Sequence, residues 1–175
     1  MNKAFILLVG IVFLTLAKAG AQTPVTKDAM NNFAQYTSGK DIKKLENARK
    51  LIDDAYKTKS DSNTFKNNLI RTLVYSTLAR VDSNLKYSYK KDPLEVALHS
   101  LKFINNSKYR EDAIAEITYI EAQLRQTYLY RANTSFKNRK YADALKYFTI
   151  LDSIDKENIF ITHNLALLCQ ELGYY

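Results

Sequence analysis

Three segments of this chain carry apolar or small residues at one common spacing, and this repetition constrains the fold more than any other feature. Within each set, successive residues lie three, four and three positions apart, so all four share one face of an α-helix. The sets are Leu45, Ala48, Ile52 and Ala55; Leu94, Ala97, Leu101 and Ile104; and Tyr141, Ala144, Phe148 and Leu151. Alanine holds the second slot each time, where a neighbouring helix would approach closely. The spacing predicts a repeated helical unit.

The low content of glycine and proline favours the same conclusion. The 175 residues include four Gly and two Pro, which leaves few positions for tight turns. A single cysteine, Cys169, excludes a disulfide framework, and 46% apolar with 25% charged residues is the composition of a globular protein. We therefore predict an all-α fold of about six to seven helices.

Residues 1–21 have the three parts of a secretory signal peptide. Lys3 supplies the positive charge, an apolar run follows, and small residues offer cleavage after Ala19 or after Ala21. The apolar run is shorter than the roughly 20 residues that a helix needs to cross a bilayer. No cysteine stands directly after it, which excludes a lipoprotein anchor. We expect a secreted or periplasmic protein that is not an integral membrane protein, and its Ala-Gln-Thr junction resembles signal peptides of Bacteroidetes-type bacteria.

Local signals place further helices and loops around the three patterned segments. Additional helices are expected at 27–36, 64–82, 109–138 and 160–172, with a turn at 60–63 and a polar loop at 83–91. Gly39 is expected to follow the end of the first helix. A helix is predicted to begin sharply at Asp92. Aspartate is a preferred N-cap residue, Pro93 suits the first turn of a helix, and Glu95 suits the acidic position of a capping box.

The C-terminal stretch carries large and small residues in a longer recurring pattern. Tyr128 and Ala132 fit one helix, and the set that begins at Tyr141 fits the next. In this it resembles the tetratricopeptide repeat, a helix–turn–helix unit of about 34 residues. The resemblance implies a right-handed α-solenoid of antiparallel helix pairs that binds other proteins on its concave face without catalysis. It divides the chain into a signal peptide (1–21), an N-terminal segment with a short helix (22–40), degenerate repeats (41–127), and a clear unit followed by the first helix of a truncated one (128–175).

The same resemblance implies a set of partner-binding residues. On the concave face it places Leu129, Asn133, Phe136 and Lys137 of one helix, followed by Phe160, His163 and Asn164 of the next. Asn133 and Asn164 match two asparagines with which a chaperone-binding subgroup holds a peptide carboxylate, whereas Leu129 stands where that subgroup has a lysine. We expect a partner segment to be buried against Phe136, Leu129 and Phe160, with Lys137 attracting acidic groups.

Residues that could support catalysis are few. His99 and His163 are the two imidazoles of the chain, and neither has a zinc-ligand spacing to Cys169 or to a second histidine. Cys169 lies among leucines and is interpreted as a buried small hydrophobic residue. The four glycines form no phosphate-binding loop. We therefore expect no enzymatic activity, no metal and no cofactor.

The net charge of +8 supports an alternative function. Lys90 and Lys91 lie beside Tyr87 and Tyr89 in the predicted loop, and these tyrosines are the best placed to contact a ligand. Such patches attract polyanions, although interspersed acids argue against a nucleic-acid partner. The alternative is a basic adaptor for an anionic envelope component, such as an acidic glycan or an anionic membrane surface.

The predicted last helix, 160–172, is expected to leave apolar surface uncovered. Leu165, Leu167, Leu168 and Leu172 lie around much of its circumference. Three explanations stay open. The sequence is the N-terminal part of a longer protein whose activity lies after Tyr175, or it self-associates or pairs with another chain through this helix, or the helix is itself a cap.

Overall fold

The computed structural model describes residues 24–83, 85–154 and 158–173, and within these ranges the chain is helical without any β-strand. The all-α prediction is confirmed. The predicted signal peptide and Tyr175 lie outside the described residues. The α-helices are α1 (Pro24–Gly39), α2 (Ile42–Asp54), α3 (Lys59–Ser62), α4 (Phe65–Val81), α5 (Pro93–Asn105), α6 (Ile114–Lys137), α7 (Tyr141–Ile154) and α8 (Ile159–Glu171). None of the described helices is both long and apolar enough to span a lipid bilayer.

The predicted number of six to seven helices is wrong, because the described residues form eight α-helices. The additional one is α3, a single helical turn that overlaps the predicted turn at 60–63. Its start is closed by a reciprocal cap, in which the Asp61 backbone N–H donates to the Thr58 hydroxyl at 3.1 Å and that hydroxyl donates to the Asp61 carboxylate at 2.6 Å. The predicted helix at 109–138 is also divided, since Arg110–Ala113 form a 3₁₀ turn before α6.

Helix α1 begins earlier and ends later than predicted. Pro24 opens it, as suits a residue without a backbone N–H, and Gly39 is its last residue rather than the one that follows it. Lys40 then adopts a left-handed conformation (φ 58°), and its N–H donates to the Tyr36 carbonyl at 2.7 Å. The sharp start predicted at Asp92 is confirmed, because its carboxylate accepts the N–H of Leu94 at 2.9 Å.

The three repeated faces are buried as predicted. Ala48, Ala97 and Ala144, the small residues of the second slot, are each 0% exposed. The large residues around them are buried as well, with the exception of Tyr141, which is half-buried. The Tyr141 ring lies 5.6 Å from that of Phe136, centroid to centroid, and so fills the space between α6 and α7. Each face therefore provides the apolar side of a helix pair.

Neighbouring helices pack in chain order. The closest packing joins α1 with α2, α4 with α5, and α6 with α7. Between these pairs, α2 and α6 pack on α4, while α8 packs on α7. Helix α4 is the most enclosed element, with 14 of its 17 residues buried.

Polar contacts also connect α6 to the preceding helices. The guanidinium of Arg131 binds both carboxylate oxygens of Asp92, with 3.0 Å between Nη2 and Oδ1, and the two side chains are 7% and 22% exposed. Asp92 therefore caps α5 and pairs with α6 at the same time. Arg80 of α4 donates to the Gln123 side chain at 2.9 Å.

Candidate functional site

The four predicted binding residues of α6 lie towards its C-terminal end, and their exposure differs. Leu129 and Phe136 are half-buried and pack against the core, so part of each side chain serves the contact between α6 and α7. Asn133 is half-buried and Lys137 is exposed. Lys137 and the outer parts of Leu129, Asn133 and Phe136 are therefore the groups of α6 that a partner could contact.

The three predicted binding residues of α8 lie in its first half. Phe160 is 54% exposed and His163 is exposed. The Asn164 amide donates to the Phe160 carbonyl at 2.7 Å, which engages its N–H group within the helix itself. Ile159 is 84% exposed and Leu167 is 39% exposed, so α8 presents several large apolar side chains to solvent. Uncovered apolar surface is present on this helix, but of the four leucines expected to form it only Leu167 is exposed, since Leu168 is buried and Leu165 and Leu172 are half-buried.

Helix α7 connects the two groups of predicted residues, because both α6 and α8 pack on it. The turn between α6 and α7 is closed by Arg139, which has φ 58° and donates its backbone N–H to the Phe136 carbonyl at 3.0 Å. We refer to the predicted residues of α6 and α8 together as the α6–α8 surface. Its members are Leu129, Asn133, Phe136, Lys137, Phe160, His163 and Asn164.

The candidate chemical groups are dispersed over the surface. His99 and His163 are exposed, and Cys169 is half-buried rather than buried as expected. Cys169 lies on α8, where the helix has one principal packing partner, so part of its circumference stays open to solvent. In the part of the chain that the structure describes, no group of three or more His, Cys, Asp or Glu side chains could hold a metal ion.

A concave feature lies outside the α6–α8 surface, between α2, α4 and the loop that connects α4 to α5. It encloses about 660 Å³, and we call it the basic cleft. Its cationic residues are Arg49, Lys57, Arg71, Lys90 and Lys91, and its tyrosines are Tyr56, Tyr75 and Tyr89. Asp53 is the one acid among the described residues that line it.

Asp53 organises the floor of the basic cleft. Its carboxylate accepts hydrogen bonds from Arg71 at 2.5 Å, from Arg49 at 3.3 Å and from the Tyr75 hydroxyl at 2.8 Å. The Arg71 guanidinium lies between two rings, 4.3 Å from the centroid of Tyr56 and 4.8 Å from that of Tyr75. Burial, followed by the charge of Asp53, raises the pKa of Tyr75 from 10.0 to about 12, so its hydroxyl stays a proton donor even at moderately alkaline pH.

A buried carboxylate shapes the loop at the rim of the cleft. Asp82 is 4% exposed and accepts the backbone N–H groups of Lys86 at 2.8 Å and Tyr87 at 2.9 Å. Beyond this turn, the half-buried Tyr89 lines the cleft, whereas Tyr87 is 56% exposed. Burial and the nearby charge of Asp82 raise the pKa of Tyr89.

Sequence reasoning singled out the loop residues of the basic cleft but missed its floor. Tyr89, Lys90 and Lys91 stand together in the sequence, whereas Arg49 and Arg71 belong to different helices. One signal was present in the spacing. Arg49 and Asp53 lie four residues apart, as do Arg71 and Tyr75, so each pair occupies one helix face.

No family model matches the chain, and neither a curated protein nor a solved structure matches it. The tetratricopeptide assignment is therefore a proposal.

Proposed function

We propose that this chain is a non-catalytic interaction scaffold of tetratricopeptide type, secreted or periplasmic in a bacterial envelope, that binds a segment of a partner protein. The finer fold that we propose is a right-handed α-solenoid, with α1–α2, α4–α5 and α6–α7 as its helix pairs and α8 as the first helix of a further unit. The partner segment would lie against the α6–α8 surface.

The observation that carries this proposal is the burial of the same face in the second helix of all three pairs. Ala48, Ala97 and Ala144 are fully buried in these faces, and side chains this small permit close approach of a neighbouring helix. Stacking then continues from pair to pair, because α2 and α6 both pack on α4. Repeated pairs that bury one face and stack on their neighbours are the basis of a solenoid, whose extended surfaces are suited to binding proteins.

The α6–α8 surface combines the groups that a peptide-binding site requires. Phe160 offers an exposed aromatic ring, and exposed aromatic side chains are common anchors of protein interfaces. Lys137 places a positive charge at the end of α6, where it would attract acidic residues. Asn133 can exchange hydrogen bonds with a peptide backbone through its amide.

A displayed library of random peptides, selected for binding to the wild-type protein, tests the proposal. We expect the selected peptides to bind at least about tenfold more weakly to Phe136→Ala with Lys137→Glu and to Phe160→Ala, because truncating an aromatic anchor removes a large share of the binding free energy. Phe160→Ala is the cleaner change, since Phe136 also contacts Tyr141.

The matched control is Ile114→Ala with Lys102→Glu. Ile114 is 50% exposed at the start of α6, and Lys102 is exposed on α5, so the control removes similar groups away from the α6–α8 surface. Circular dichroism checks that all variants keep their helicity, and light scattering measures self-association through α8. Equal binding to wild type and Phe160→Ala, or an equal loss in the control, contradicts the proposal.

A further inference from the structure

Charge in the basic cleft is unequally compensated. The acids nearby pair with three of its five cations. Arg49 pairs with Glu46 at 3.0 Å and with Asp53, Arg71 pairs with Asp53, and Lys57 pairs with Asp54 at 2.7 Å. In the described part of the chain, Lys90 and Lys91 have no such carboxylate partner, and both are exposed at the rim. The rim therefore carries positive charge that an anionic ligand could neutralise.

The floor of the cleft is ordered before any ligand arrives. Arg71 is held by its bond to Asp53 and by the rings of Tyr56 and Tyr75, and its side chain is 14% exposed. A guanidinium fixed in this way loses little conformational entropy on binding, which favours affinity. Tyr75 is fixed as well, because its hydroxyl donates to both oxygens of Asp53.

The size of the cleft limits the ligand class. Its volume of about 660 Å³ falls within the range of small-molecule sites, roughly 300–1,000 Å³. A single inorganic anion would fill only a small part of this volume. An organic anion of two or more linked rings fits the space.

The side chains that line the cleft indicate the chemical class of this organic anion. The rings of Tyr56 and Tyr89 and the side chain of Val96 provide apolar surface, while Ser88 and the cationic side chains provide hydrogen-bonding groups. The Tyr56 and Tyr75 hydroxyls already donate to Asn68 and Asp53. A sugar ring presents C–H faces together with many hydroxyls, so both parts of this lining would be used. A peptide strand would need a row of backbone partners, whereas the contacts here come from side chains.

We propose that the basic cleft binds an acidic saccharide, meaning linked sugar units that carry carboxylate or sulfate groups. The uncompensated charge of Lys90 and Lys91, the fixed guanidinium of Arg71 and the tyrosine lining carry this inference. It is independent of the partner surface on α6 and α8, since none of its residues belongs to that surface.

Isothermal titration calorimetry of the whole protein with trigalacturonate tests the proposal. Maltotriose has a similar size without the charge, and a triglutamate peptide has similar charge without the sugar rings. We expect trigalacturonate to bind with a Kd on the order of 0.1–1 mM at low salt and at least about tenfold more tightly than either comparator. Raising the salt concentration should weaken the binding, because exposed charges are screened.

Two variants locate the binding. Lys90→Ala with Lys91→Ala removes two exposed side chains and should weaken trigalacturonate binding about tenfold or more, with no loss of fold expected. Arg71→Ala should weaken it further, although loss of the Asp53 contact also affects stability. The control, Lys43→Ala with Lys50→Ala, removes two exposed lysines of α2 that do not line the cleft and lowers the net charge equally.

Each of three results would overturn the proposal. Absence of measurable heat with trigalacturonate up to about 10 mM would exclude a useful saccharide site. Equal affinity for triglutamate would assign the cleft to acidic peptides instead. An equal loss of affinity in the Lys43 and Lys50 control would attribute the binding to general charge rather than to this cleft.

Discussion

Replacing Tyr75 with phenylalanine removes one buried hydroxyl and keeps the ring that contacts Arg71. Tyr75 is 5% exposed, and its hydroxyl donates to both oxygens of Asp53 at 2.8 Å. Hydrogen bonds to charged groups contribute about 1.5–3 kcal/mol. Because Asp53 keeps its bonds to Arg49 and Arg71, we expect the lower end of this range, a loss of about 1.5 kcal/mol in the free energy of unfolding at pH 8.

The cost of this substitution should shrink at alkaline pH. The pKa of Tyr75 is raised from 10.0 to about 12 in the folded protein, so the folded state retains a proton that the unfolded chain releases earlier. The stabilisation from this proton is fully present below pH 10 and is lost as the pH rises through 12. At pH 11, one unit above the pKa of the unfolded chain, the wild-type protein has lost about 1.4 kcal/mol of this stabilisation. The Tyr75→Phe variant has no hydroxyl at this position and does not undergo this loss. The two proteins should therefore be almost equally stable at pH 11.

Urea unfolding, followed by helical circular dichroism at pH 8 and pH 11, measures both differences. Tyr87→Phe, which removes a hydroxyl from a ring that is 56% exposed, serves as the control and should leave the stability at pH 8 unchanged. If Tyr75→Phe cost the same free energy at both pH values, the linkage between the hydroxyl and Asp53 would be refuted.

Two further predictions concern the packing between helices. Arg131→Met should lower the free energy of unfolding by about 2–3 kcal/mol, because it leaves a largely buried Asp92 without its partner. Asp92→Asn should cost less, since asparagine can still cap α5, and a larger loss for Asp92→Asn in chemical denaturation would contradict this. Ala97→Leu should lower the free energy of unfolding by about 1–3 kcal/mol, because the larger side chain does not fit the closely packed position of Ala97 in α5. The control is His99→Leu at an exposed position of the same helix, which should change the stability little; equal melting temperatures for the two variants would argue against close packing at Ala97.

The buried faces of helices with one apolar side were predictable from the sequence. The buried residues of α4, which has no single apolar side, were not. The faces of α2, α5 and α7 follow directly from residue spacing because one side of each helix is buried. In α4 burial extends around the helix and includes Asn68 and Thr72. These polar groups are satisfied locally, since the Thr72 hydroxyl donates to the Asn68 carbonyl at 2.7 Å and the Asn68 amide to the Thr64 carbonyl at 2.8 Å. Pattern alone does not distinguish such residues from exposed ones.

In the basic cleft, too, residues that are adjacent in the sequence were predictable, and residues brought together by helix packing were not. Residues of the loop that bounds the basic cleft were recognisable because Tyr89, Lys90 and Lys91 are adjacent in the chain. The floor depends on how α2 and α4 are packed, which brings Asp53 within reach of Arg71. That contact is a property of tertiary structure, and no local spacing in the sequence encodes it.

Because α4 is enclosed by other helices and α8 is not, the two helices should differ in how readily they open. Exposing α4 would disrupt its packing against α1, α2, α5 and α6 together, so its amide hydrogens should exchange only when most of the protein opens. Helix α8 packs chiefly on α7 and can separate at much lower free energy. A ligand that held α8 in place would thus slow exchange there while leaving α4 almost unaffected.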